Sequence, residues 1–102
     1  MKIEFVRSGG VAGIPSRLTL DSGDLPAPER ASLEALIDRA QFFELPARMT
    51  SPMPDAFQYD LAIEREGRRH VVHADDRGAP EPLRELVRRL SALARGGLPP
   101  EA

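Results

Sequence analysis

Cysteine is absent from this chain of 102 residues, which excludes disulfides, thiolate metal sites and cysteine nucleophiles. Long apolar runs are missing too. None approaches the ~20 residues needed to cross a bilayer. The opening stretch Met1 to Arg7 carries Glu4 and lacks the apolar core of a signal peptide. Neither sign of charge dominates, with Lys+Arg 14 against Asp+Glu 16 and a net charge of −2, so nothing recommends nucleic acid or an anionic membrane as a partner. Together these absences predict a cytoplasmic protein that binds neither.

Catalytic signatures are equally scarce. His70 and His73, followed by Asp75 and Asp76, suggest a metal, but residues three apart on a strand point to opposite faces and cannot converge on one ion. The expectation is that His70 lies beside Ile63 and His73 faces Asp60. Gly9-Gly10-x-x-Gly13 lacks the Lys-Ser/Thr of a phosphate loop and joins two strands rather than a strand and a helix. No serine sits in a nucleophile elbow. The reading is a protein without catalysis, cofactor or metal.

What is present is an ordinary globular balance, 41% hydrophobic and 29% charged, enough for one domain over 1–95 with a flexible tail over 96–102. Residues 2–7 and 16–21 alternate with period 2, placing Ile3 and Phe5, then Leu18 and Leu20, on buried faces of a hairpin. From Glu29 to Gln41 the residues Leu33, Leu36, Ile37 and Ala40 form a helical stripe, with Pro26 and Pro28 suited to its first turn. Phe42 and Phe43 cannot both lie on that stripe. A strand over 55–65 puts Phe57, Tyr59, Leu61 and Ile63 on one face. Glu66-Gly67 is a two-residue turn that would pair Arg65 with Arg68, Glu64 with Arg69, Ile63 with His70, Leu61 with Val72 and Asp60 with His73. A second helix, from Pro80 or Glu81 to Ala94, buries Leu83, Leu86, Val87, Leu90 and Leu93. Its Arg84, Arg88 and Arg89 form a solvated face. The fold class is therefore α+β: a two-layer sandwich of four antiparallel strands with both helices on one face, in the order ββαββα.

Two loops stand out as binding elements. Arg7-Ser8-Gly9-Gly10-Val11-Ala12-Gly13-Ile14-Pro15 places three glycines within five positions between two strands, the composition of a shaped, exposed loop. Arg48-Met49-Thr50-Ser51-Pro52-Met53-Pro54 carries two methionines in a proline-rimmed segment, which offers adaptable apolar contacts or folds back on Phe43.

Ile3-x-Phe5-x-Arg7-Ser8-Gly9-Gly10-x-x-Gly13, Leu33-x-x-Leu36, Phe42-Phe43-x-Leu45-Pro46, Phe57-x-Tyr59 and Pro82-Leu83-x-x-Leu86 together resemble the emfourin family over nearly the whole chain. The resemblance implies a small cytoplasmic bacterial inhibitor of protealysin, a thermolysin-like zinc metallopeptidase. That peptidase is the implied protein partner, with the inhibitor a monomer before the complex forms. Carried over residue by residue, it supports Arg7, Gly9, Gly10 and Gly13. The expected contact set is Arg7, Ser8, Gly9, Gly10, Val11, Gly13 and Ile14, with Met49 and Met53 as secondary contacts. Val11 or Ile14 would fill an apolar subsite and Arg7 would hold the loop base or meet an acidic rim. The alternative is a non-catalytic adaptor or regulatory domain using the same loop or an open sheet edge.

Overall fold

A computed structural model describes residues 1–8, 16–52 and 57–94, and among these described residues there are five strands and two α-helices. The strands are β1 (Lys2–Ser8), β2 (Ser16–Asp21), β3 (Arg48–Met49), β4 (Gln58–Arg65) and β5 (Arg68–Asp75), and the helices are α1 (Ala27–Ala40) and α2 (Glu81–Ala94). They form one sheet in the order β2-β1-β4-β5-β3. The tail expected over 96–102 lies outside the described residues.

The inward faces follow the alternation. Ile3 and Phe5 of β1, Tyr59, Leu61 and Ile63 of β4, and Val72 and Ala74 of β5 join Leu33 and Ile37 of α1 and the leucine stripe of α2 in one buried cluster. Strand residues two apart share a face, so a single cluster places both helices on the same side of the sheet. Two ion pairs bridge the helices, Arg39 to Glu85 at 3.2 Å and Arg89 to the nearly buried Glu29.

Local signals set the boundaries. Pro26 caps α1 and its carbonyl accepts the Arg30 N–H at 2.9 Å, while Pro28 sits in the first turn where no donor is missed. At the other end Gln41 takes the left-handed conformation, φ 48°, and stops the helix. Phe42 then enters the core at 1% exposure, whereas Phe43 is half-buried, edge-on to Phe42 and beside His70. Glu66 and Gly67 both have positive φ, 53° and 77°, the backbone of a two-residue hairpin turn whose twist matches its strands. All five expected β4–β5 pairs occur. The two arginines at the tip avoid each other: Arg65 reaches Asp38 at 2.7 Å, and Arg68 lies over the Phe43 ring with Glu44 3.9 Å away.

Two expectations are corrected. The sheet has five strands and is mixed, because β3 joins β5 in parallel, Arg48 opposite His73 and Met49 opposite Ala74. Two residues are too short to show a period, and the pairing is held by the His73 N–H donating to the Ala47 carbonyl at 2.8 Å. The order is ββαβββα. Phe57 is not a core residue either; it precedes β4 and is 39% exposed. The helical layer covers the sheet as far as Tyr59, and beyond it the ring meets the Arg7 guanidinium instead.

The β3 edge also explains a glycine. A Cβ on Gly78 would lie 2.6 Å from the Met49 carbonyl carbon and closer still to its oxygen, so the turn after β5 and the β3 backbone touch only because that side chain is absent. Gly78→Ala is expected to lower the unfolding free energy by about 1–3 kcal/mol, an overpacking cost. It should also speed amide exchange at His73. Unchanged exchange there would refute the close approach.

Candidate functional site

One end of the sheet holds the three singled-out residues that are described, Arg7, Ser8 and Met49. Pairing runs Ser16–Arg7–Tyr59–Ala74–Met49 across all five strands, and the next row holds Ser8, Gln58 and Asp75. Arg7 and Met49 thus share a row, three strand spacings apart, roughly 14 Å at the usual ~4.8 Å between strands. Strand β1 ends at Ser8 and β2 begins at Ser16, so the described residues that flank segment 9–15 lie here, as does Phe57, which follows segment 53–56 in the chain and precedes Gln58. Gly9, Gly10, Val11, Gly13, Ile14 and Met53 lie outside the described residues. Of the proposed contacts the structure places Arg7, Ser8 and Met49, the first two half-buried at the end of β1 and the third partly packed on the core.

Arg7 occupies the inward position after Ile3 and Phe5, where alternation calls for an apolar side chain. It projects past the core, and its guanidinium carbon stands 4.1 Å from the Phe57 ring centroid. A cation over an aromatic face is worth about 0.5–1 kcal/mol at an exposed site. The contact ties the start of segment 9–15 to the end of segment 53–56.

Asp75 anchors the neighbouring strand end. Only 1% exposed, its carboxylate accepts the Ser51 N–H at 2.7 Å, the Ser51 hydroxyl at 2.8 Å and the Gly78 N–H at 2.6 Å. Burial alone would raise its pKa, but these donors together outweigh it and hold the carboxyl below its ordinary value. The segment leading from β3 to residue 52 is thereby pinned to β5. Both histidines serve the frame: His70 Nε2 donates to the Leu45 carbonyl at 2.8 Å, and His73 Nδ1 donates to Asp60 at 2.7 Å on the opposite face. Among the described residues no three of His, Cys, Asp and Glu come together as a metal cluster.

Sequence reasoning missed a cleft of about 350 Å³ between this row and α2. Its walls carry Arg7, Arg84, Arg88 and Asp76, over a floor of Tyr59 and Val87. The face of α2 read as solvated therefore closes a cleft with a strand residue from the other end of the chain. Two signals were legible: a charged residue in an inward register, and arginines four apart on a helix. Glu81 receives both Arg84, at 2.6 Å, and Arg88, at 3.3 Å. The Arg88 hydrogen bond and the Arg84 charge hold its carboxyl below the usual range.

No helix among the described residues is long and apolar enough to cross a membrane. No curated protein and no solved structure matches the chain significantly. Residues 5–91, from β1 into α2, match the family model described as Emfourin, a span that includes Arg7, segment 9–15 and the cleft-lining arginines of α2. The chain belongs to the Emfourin family.

Proposed function

We propose that this protein is a proteinaceous inhibitor of a thermolysin-like, protealysin-type bacterial zinc metallopeptidase. The observation that carries the reading is the family match over residues 5–91; the identity of the peptidase comes from what resemblance to the emfourins implies. The inhibitor acts by occupying the active-site cleft with segment 9–15. Gly9, Gly10 and Gly13 allow close backbone approach, and Val11 or Ile14 enters an apolar subsite. Met49, in the same sheet row as Arg7, and Met53 add secondary contacts. Occupation of the cleft needs no metal ligand from the inhibitor.

A base of paired strands supports this mode. Association is costly when loops must be ordered, and a segment whose two ends are fixed by a hairpin loses less freedom on binding. The β1–β2 ladder fixes six residue pairs, ending at Arg7 and Ser16, and the Arg7–Phe57 stack fixes the adjoining segment.

Titration of the purified protein against a thermolysin-like peptidase from its own source, followed by cleavage of a short peptide, tests the proposal. The expected result is stoichiometric loss of activity with the added protein left intact. Full activity at large excess overturns it and favours an adaptor that uses the same sheet end.

A further inference from the structure

The cleft beneath Arg7 presents donors without acceptors. Nε of Arg7, Nε of Arg84 and the Ser91 hydroxyl are withdrawn from water with no hydrogen-bond partner among the described residues. Ser91 is 4% exposed and Arg7 half-buried. Donor atoms withdrawn from water and left unpaired are costly. Among the described residues three guanidinium groups face a single lining carboxylate, Asp76. Glu81, just outside, offsets one more charge through its pairs with Arg84 and Arg88. What remains is a local surplus of one positive charge on a chain whose net charge is −2.

We infer that this cleft is a carboxylate subsite, which receives an aspartate or glutamate side chain of the partner peptidase while segment 9–15 occupies the active-site cleft. The inference rests on the inhibitor reading. A single surplus charge suits a monoanion, and Asp76 in the wall disfavours a dianionic phosphate. The Tyr59 and Val87 floor suits the methylene stem of an acidic side chain, and guanidinium forks match carboxylate geometry. Arg7 makes the subsite continuous with the contact edge, since it directly precedes Ser8 and segment 9–15. A carboxylate held here anchors the inhibitor beside the inserted segment and steers its approach.

The test is the inhibition constant of Arg84→Gln, Arg88→Gln and the double variant against the same peptidase, measured from low to high NaCl. Arg88 is 65% exposed and Arg84 39%, so thermal unfolding should be unchanged. At low salt the double variant is expected to inhibit about 10- to 100-fold more weakly, with a shallower salt dependence than wild type, as loss of two cations facing an acidic partner predicts. Arg88→Lys should recover part of the loss. Equal inhibition and equal salt dependence, with the wild type inhibiting, overturn the subsite alone. Absence of inhibition by the wild type at every salt concentration overturns the inhibitor reading and the subsite with it.

Discussion

Asp75→Ala is expected to lower the unfolding free energy by about 3–5 kcal/mol, seen as a lower urea midpoint. Three donors converge on this carboxylate, and each left unpaired out of water costs about 1–3 kcal/mol. They come from both sides of β5: Ser51 after β3 and Gly78 in the turn before α2. Removal of the carboxylate therefore loosens the β3 edge and the turn together. Ser51→Ala, which deletes only the hydroxyl donor, should cost about 1 kcal/mol. Asp75→Asn should fall between, because its amide nitrogen meets a donor where an oxygen stood. A cost below that of Ser51→Ala would show that Asp75 does not organise this edge.

Acid adds a second check on the same residue. Its folded pKa is below the ordinary 3.8, so the carboxylate contributes stability that is fully present above the unfolded value and is lost as pH falls through the folded one. The advantage of wild type over Asp75→Asn should hold steady from about pH 7 to about pH 5 and then shrink on further acidification. A gap that widens on acidification would reverse the sign and refute the assignment.

Gly10→Val is expected to raise the inhibition constant at least ~100-fold, close to 2.8 kcal/mol of binding free energy, while unfolding remains as in wild type. A branched side chain adds bulk where the proposed mode needs backbone against the floor of the peptidase cleft, and it narrows the backbone conformations open to glycine. Stability should be spared because the packed core is built from residues of the described strands and helices, Ile3, Phe5, Leu61 and the leucines of α2 among them. Unchanged inhibition would remove segment 9–15 from the contact and shift attention to Met49 and Phe57.

Element type and register were legible wherever a local rule applied over enough residues. Glu66-Gly67 specified a two-residue turn, and a turn of that length dictates every pair along β4 and β5. Leu83, Leu86, Val87, Leu90 and Leu93 specified the buried face of α2. Strand β3 was illegible because two residues carry no period and its partner, β5, is supplied from elsewhere in the chain. Phe57 was misread for a related reason: alternation gives the face of a strand but not where the covering layer ends.

The sequence by itself determined every element but β3, their apolar faces apart from Phe57, the α+β class, the cation-bearing glycine segment and, through resemblance, the family. These follow from turn chemistry, side-chain period and motif, all properties of neighbouring residues. The tertiary structure alone decided that Arg7 and Met49 stand in one row, that Asp75 ties two separate segments, and that Arg7 shares a cleft with Arg84 and Arg88. Each depends on residues far apart in the chain, brought together by strand order and by the layer of helices laid over the sheet.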